Sequence, residues 1–555
     1  MIASKTIGNP INLQFALNSE EAQVNRAAML AQLQNLRALE QRTVDTSQAS
    51  LPLFEKRGQL LPRVRLALLL DVGAPFLELA SLAGYLQDNP DADQSVPGGG
   101  IIVGIGYVEG VRAMVVVSDS GINAGALKMA GLEKMLRAQE IALQQKLPFI
   151  HLVESAGANL LEYRVEHFIH GGSVFYNLAR LSAAGLPVIT VVHGSSTAGG
   201  AYMPGLSDYV VMVREKARAF LAGPPLLLAA TGEIANEAEL GGAQMHAPTS
   251  GLAEYLAEDD ADALRIARQI VASLGWPSYS MAQDYLAPSY PAEDLLSLMP
   301  ANIKTPLDMR EVIARLVDGS SWLEFKADFG PATLCGHAAL CGQRIGIISN
   351  NGPLDPAGAN KASHFIQLCC QSGTPLLFLQ NTTGFMVGRA AEQAGMIKHG
   401  AKMLQAVSNA TVPKITLYCG ASFGAGNYGM CGRGFAPDFC FSWPNAKSAV
   451  MGAEQAANTM AIVLEAGAKR KAAQLPPEQA AAVLAKAQAQ IAQTKAGIIA
   501  TFERQTAASY TSALLLDDGV IDPRDTRKVL ALCFAVCQQA KTQNLNPVQF
   551  GVQRA

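Results

Sequence analysis

"VPKITLYCGASFGAGNY", Val412 to Tyr428, is an apolar run that breaks into glycine-rich chain, and from Gly420 onward it carries no Asp, Glu, His or Lys for acid–base chemistry. "LPVITVVHGSSTAGGAY", Leu186 to Tyr202, has the same texture. One glycine-rich turn after a strand is common in α/β proteins, but two in matched places need a joint explanation. The flanking segments repeat as well. The strand pair "GIGYVEGVRAMVVVSD", the helical "LEKMLRAQEIALQQ", the strand "LPFIHLVESAGAN" and the helical "SVFYNLARLSAAG" precede the first turn. Before the second come "GHAALCGQRIGIISNN", "NKASHFIQLCCQSG", "TPLLFLQNTTGF" and "AGMIKHGAKMLQAVSNA". Pro148 and Pro375 lie 227 residues apart, and Pro187 and Pro413, like Gly194 and Gly420, lie 226 apart. An offset held over that distance is an internal duplication.

Near-continuous apolar strands such as "PVITVV" and "PLLFL", alternating with helical periodicity, predict α/β units whose strands are buried on both faces. Sites in such folds lie beyond the carboxyl ends of strands, where both glycine turns fall. The halves are placed at 1–290 and 291–555, the break falling in the proline-containing "YLAPSYPAEDLLSLMPANIKTP". A charge-mixed helical arm at about 18–45 precedes the first half, and the chain from Pro476 onward reads as helix, turn, helix.

A chain of 555 residues exceeds the roughly 250–300 at which one core stops growing. Only 16% of residues are charged, against about 25% in typical domains, which predicts surface buried in an oligomer. A net charge of −3 offers no basic field for nucleic acid or a membrane surface. No apolar run reaches the roughly 18 residues of a membrane span. The N-terminus lacks the apolar core of a signal or targeting peptide, so a cytoplasmic, bacterial-type protein is expected. All nine cysteines lie at or beyond Cys335 in spacings that match neither a zinc site nor a disulfide framework. They read as reduced core residues, and no metal is expected in this chain.

Two adjacent amides at a helix start, with no side chain in the way, can donate to an oxygen on which negative charge develops. Tight helix–strand packing and a phosphate cradle are the competing uses. Neither turn has the Gly-Lys-Ser/Thr ending of a P-loop, and the first lacks dinucleotide-site glycine spacing.

The motifs "LRAQEIA", "SAGANL", "FYNLARLSAAGLPVI", "GSSTAGGAYMPGLSD", "NNGPLDPAGANKASHFIQLC", "QNTTGFMVG", "GASFGAGNYGMCGR", "WPNAKSAVMGAEQAAN" and "DDGVIDPRDTR" together resemble the carboxyltransferase (β) subunits of biotin-dependent acyl-CoA carboxylases, over nearly the whole chain. Within that family the resemblance points to the geranyl-CoA and methylcrotonyl-CoA branch, which carboxylates the γ-carbon of 3-methyl-branched 2-enoyl-CoAs. It implies two homologous crotonase-like (ββα superhelix) domains in tandem. It also implies a biotin carboxylase/biotin carrier α subunit as partner, supplying carboxybiotin, with coenzyme A entering as part of the substrate. The implied assembly is a homo-oligomeric hexamer, a trimer of dimers, inside an α6β6 complex. Two oxyanion sites are implied: Ala156 and Gly157 for the thioester oxygen, and Ala425 and Gly426 for the biotin ureido oxygen. Ser155, Gly199 and Gly200 would line the substrate pocket, and Phe423, Gly424 and Asn427 the biotin pocket. With the biotin enolate itself able to take the substrate proton, no protein base is demanded.

Two positions depart from the family pattern. The first-domain motif usually reads Ser-Gly-Gly-Ala, whereas this chain has Ser155-Ala156-Gly157-Ala158. The methylcrotonyl branch reads His-Phe-Gly-Arg-Ile-Phe where this chain has His170-Gly171-Gly172-Ser173-Val174-Phe175. Losing a Phe at an acyl-pocket position opens room for a longer chain, so Gly171 and Gly172 select the geranyl reading. Methylcrotonyl-CoA is the runner-up, ahead of propionyl- or acetyl-CoA; the bland reading of Gly171 is a helix start or a flexible loop. Glu166, His167 and His170 read as surface groups, His193 as a positioned core histidine, and Lys128 in "ALKM" as a surface lysine. "AEDDADAL", Ala257 to Leu264, reads as a solvated acidic helix start. An unaided crotonase-type hydratase would need a carboxylate beside the amides, and a scaffold subunit would not need intact amide pairs in both halves.

Overall fold

The computed structural model describes residues 6–156, 164–278 and 285–550. Among these residues the strands form two sheets of eight. After the short β1 (Asn9–Pro10), the first sheet is built from β2 (Leu77–Glu78), β3 (Ile101–Val108), β4 (Val111–Ser118), β5 (Phe149–Ser155), β6 (Val188–Thr197), β7 (Tyr209–Val213), β8 (Arg218–Phe220) and β9 (Tyr255–Ala257). Its order is β2-β3-β4-β5-β6-β7-β9, with β8 added to the end of β6. The second sheet joins β1 to β10 (Ser321–Glu324), β11 (Thr333–Leu340), β12 (Gln343–Asn350), β13 (Leu376–Thr382), β14 (Lys414–Phe423) and β15 (Phe439–Ser442), with β16 (Lys447–Ala449) on the end of β14.

Each sheet is organised by an antiparallel hairpin followed by parallel strands. The hairpin turns are left-handed at both central residues, Glu109-Gly110 and Cys341-Gly342, the geometry that matches strand twist. Asp71 accepts both amides of the first turn at 2.9 and 2.7 Å, and Asp318 both amides of the second at 2.8 Å. Helices Met129–Gln144 and Val165–Ala183 make the crossovers of the first sheet, and Pro356–Ser372 and Met396–Ser408 those of the second. β3, β4, β5 and β14 are buried along their whole length, as their unbroken apolar runs require. Eight of the nine cysteines are buried and Cys370 is half-buried. No helix among the described residues is long and apolar enough to cross a membrane.

The compact units are not the contiguous halves expected from the sequence. One holds residues 34–283, 512–519 and 532–555; the other holds 1–33, 284–511 and 520–531. Two sets of contacts explain the exchange of ends. In the first unit Arg112 donates to the Ala535 carbonyl at 3.0 Å and Arg137 pairs with Asp518 at 2.8 Å. In the second, β1 pairs with β10, and Asn25 of the helical arm donates to the Ser297 carbonyl at 3.2 Å. The arm itself is the helix Glu20–Gln48.

Candidate active site

The parallel ladder between β5 and β6 slips between Val153 and Ser155, and that between β13 and β14 slips between Gln380 and Thr382. Each slip sets a single residue just before the strand end, Glu154 or Asn381, against three on the neighbouring strand, 193–195 of β6 or 419–421 of β14, which carries the bulge. Past the ends of β6 and β14 the backbone turns left-handed at Ala198 (φ 54°) and at Gly424 (φ 53°), and short helical segments begin. Ala198 adopts this conformation with a side chain, at a cost of roughly 1–2 kcal/mol. The duplication therefore matches Gly199 with Ala425 and Gly200 with Gly426.

In the first unit Gly200 is buried, and a Cβ there would lie 3.4 Å from the Ser155 Cβ and 3.1 Å from Ser196 Oγ, which itself donates to the Gly200 carbonyl at 2.7 Å. Ser155 and Gly200 are thus brought together. Ala156 is exposed, and its N–H donates to the Ala124 carbonyl at 3.2 Å. Gly157 lies outside the described residues. Gly171 and Gly172 occupy the interior of the helix Val165–Ala183 rather than a helix start or a loop. A Cβ on Gly171 would meet only Leu132, at 3.9 Å, and one on Gly172 nothing within 4 Å. One turn further along, the Phe175 ring edge would lie 3.2 Å from a Cβ on Gly199 and packs against Tyr202 at 5.7 Å between ring centres. Glu166 is exposed, and His170 sits 2.8 Å from Glu133 on the outer surface.

Behind this turn lies a charge cluster that the sequence reading missed. Arg65, 1% exposed, donates to Glu154 at 2.8 Å and to Asp260 at 2.9 Å. Asp260 also meets His193 Nδ1 at 2.8 Å and accepts the Leu60 amide at 2.7 Å, while Ser120 donates to Glu154 at 2.9 Å. Burial opposes ionisation of Asp260, but the His193 hydrogen bond and the Arg65 charge outweigh it and hold the carboxyl well below the usual range. Burial, reinforced by Arg65, lowers His193 and keeps it neutral. His193 is thus the positioned core histidine expected. Asp260, in the supposedly solvated "AEDDADAL", is 1% exposed; Asp259 caps the helix, leaving Asp260 to turn inward.

In the second unit Ala425 is exposed at the start of the helix Gly424–Gly429 and Gly426 is buried. A Cβ on Gly426 would come 2.8 Å from the Gly384 Cα, so two backbones meet with no side chain between them. Gly384 (φ 120°) is the duplicate of Gly157 at the 227-residue offset, the signal that could have found it. The Phe423 side chain is buried. Asn427 Nδ2 donates to Ser422 Oγ at 2.7 Å, and Ser422 donates to Gln380 at 2.6 Å, so the Asn427 side chain braces the turn from behind. Both turns therefore present backbone amides, each facing the end of a neighbouring strand.

The family described as the carboxyl transferase domain matches residues 54–550. The chain belongs to this family. It is 47% identical over 500 residues to a probable biotin-dependent acyl-coenzyme A carboxylase β2 subunit of Mycobacterium tuberculosis, covering 90% of this chain and 91% of that one. It is 46% identical to a mitochondrial methylcrotonoyl-CoA carboxylase β chain of Dictyostelium discoideum, over 90% of this chain and 83% of that one. The crystal structure of the geranyl-CoA carboxylase β subunit of P. aeruginosa superposes with a TM-score of 0.89, covering 98% of this chain and all of that one at 51% identity. This carboxyl transferase chain is accordingly the β component of a biotin-dependent acyl-CoA carboxylase, with the crotonase-like fold that its duplicated sequence implied.

Proposed function

We propose that this β subunit, of the methylcrotonyl-/geranyl-CoA carboxylase type, acts on geranyl-CoA and directs a carboxyl group to its γ-carbon. The observation that carries the choice is the Gly171-Gly172 pair. Each glycine inside a helix costs about 0.5–1 kcal/mol relative to Ala, and no neighbouring atom in the unit demands either one. Their value lies in the space left open on the face that one turn later places Phe175 over Gly199. That space suits a chain longer than the methylcrotonyl group.

The amides of Gly199 and Gly200, with Ser155 beside them, are assigned to the thioester oxygen together with Ala156 and Gly157. Ala156 joins them by exchanging its bond to the Ala124 carbonyl for one to the substrate. In the second unit Ala425 and Gly426 hold the biotin ureido oxygen, with Gly424 admitting the left-handed turn and Gly384, whose N–H donates to Thr382 Oγ1 at 3.2 Å, letting the two backbones approach. Closely apposed backbone and an exposed helix-start amide suit a flat, neutral acceptor. Biotin, carried on the partner α subunit, supplies the carboxyl group when bound. Donors aimed at developing charge act where it forms, and each is worth on the order of 10²–10³ in kcat in other enzymes. Glu154, next to Ser155 at the first turn, pairs with Arg65, which argues against an unaided hydratase. A hexamer within an α6β6 complex and a cytoplasmic location complete the proposal.

The test is ATP-dependent fixation of labelled bicarbonate by the chain co-purified with its biotinylated partner, offered geranyl-CoA, methylcrotonyl-CoA and propionyl-CoA. The proposal expects kcat/KM highest for geranyl-CoA. Turnover confined to methylcrotonyl-CoA moves the assignment to that substrate, and fixation onto none of the three overturns it in favour of a scaffold.

A further inference from the structure

The bulges at the two strand ends are built alike and filled differently. In the first unit Glu154 Oε1 lies 2.5 Å from where a Cβ on Gly194 would sit, and its carboxylate is neutralised by Arg65. In the second, Asn381 Oδ1 lies at the same 2.5 Å from the Cβ position of Gly420, the duplicate of Gly194. No carboxylate is present there. The space beside Asn381 and Gly420 is a cavity of about 110 Å³. Asn381, Asn445, Lys447, Thr305 and Gln32 contribute its polar wall and Met299 part of its apolar wall, and no acidic residue lines it.

Its polar groups are in a state that calls for a guest. The Lys447 ammonium has neither an ion-pair nor a hydrogen-bond partner among the described residues, unlike Arg218, its counterpart on β8, which pairs with Glu237 at 3.1 Å. Asn381 uses Oδ1 to accept the Ala421 amide at 3.3 Å, which leaves its Nδ2 as a donor. Asn445 is oriented by donating Nδ2 to the Cys419 carbonyl at 2.9 Å. A cavity of this size exceeds the roughly 10–15 Å³ that one water needs, so a guest of several non-hydrogen atoms is accommodated.

We infer that this cavity binds a small carboxylate-type oxyanion, bicarbonate or a short organic carboxylate, held by the Lys447 ammonium and the Asn381 amide. The guest lies beside the Asn381 amide, which holds the place of the Glu154 carboxylate, and supplies from solution the negative charge that the second unit lacks there. The inference does not depend on which acyl-CoA is carboxylated.

The test uses the full-length chain, titrated calorimetrically with sodium bicarbonate, formate and acetate at constant ionic strength, with sodium chloride as the control. Saturable heat with at least one of the three is expected, together with a rise in melting temperature that chloride does not produce. Binding by bicarbonate alone supports the site with an inorganic source. Binding by formate or acetate supports it with an organic one. Lys447→Met is expected to weaken binding by about tenfold or more, the loss of a charge-assisted contact, and Lys447→Arg to retain it. Asn381→Asp, which restores a fixed carboxylate, is expected to abolish binding without lowering the melting temperature. An effect matched by chloride, no saturable binding, or binding unchanged in both Lys447→Met and Asn381→Asp would overturn the inference.

Discussion

Glu154 and Asn381 face the same bulge in two copies of one fold, and Lys134 and Lys361 hold matching places on the helices that cover the two hairpins. In the first copy the polar groups are mutually satisfied: Glu154 meets Arg65, and Lys134 donates to the carbonyls of Gly98 and Ile101 at 3.3 and 2.8 Å. In the second copy Asn381 faces a cavity, and Lys361, fully buried, has an ammonium nitrogen with no partner. Duplication has preserved backbone geometry, down to the ladder slips and left-handed turns. The wiring behind each turn has diverged. The first turn rests on buried charge, the second on a ladder of neutral amides and hydroxyls running through Gln380, Ser422 and Asn427.

This contrast can be broken most severely at the turns themselves. Gly426→Val is expected to lower kcat by about 10³-fold, because its side chain would push into the Gly384 backbone. Gly200→Ala, whose Cβ meets side chains at 3.1 Å or beyond, is expected to cost only about tenfold. Steady-state kinetics of the two variants measures the difference; equal losses would remove it. Glu154→Gln leaves Arg65 buried with one carboxylate where it had two, and a loss of about 3 kcal/mol in denaturant unfolding is expected. The lysine pair sharpens the comparison. Lys134→Met strands two carbonyls and is expected to cost about 1–3 kcal/mol. Lys361→Met removes a desolvated charge with no partner and should be neutral or stabilising. A more gradual effect concerns pH. His151, buried with both ring nitrogens unpartnered, is pushed down to about 3 by desolvation. The unfolded chain binds a proton there near pH 6.5 and the folded chain does not, so stability falls as pH drops from about 6.5 towards 3, by about 1 kcal/mol per pH unit. His193 acts in the same direction. Melting temperatures between pH 7 and pH 5 for the protein and for His151→Leu would show the slope and its reduction.

The repeated strand order, the two glycine turns and their offset were legible because period and spacing are properties of the chain alone. What was not legible depended on single side chains and on distant segments. Asp259, Asp260 and Asp262 are chemically identical, yet one caps, one is buried against Arg65 and one is half-buried and paired with Arg265. Nothing in "YTSALLLDDG" announces that Asp518 pairs with Arg137, so the exchange of chain ends between units escaped a division drawn at one boundary. Gly384 was within reach of the offset argument but sits in "QNTTGF", a stretch with a single glycine and none of the texture that drew attention to the other turns.

The account rests most directly on the claim that Gly171 leaves room for a long acyl chain beside an amide-lined turn. The measurement is the ratio of kcat/KM for geranyl-CoA to that for methylcrotonyl-CoA, determined on the assembled carboxylase for the natural chain and for Gly171→Phe. The account predicts a ratio that falls by about 100-fold or more in Gly171→Phe while methylcrotonyl-CoA turnover survives. A ratio unchanged by the substitution, in an enzyme that remains folded and active, would contradict it.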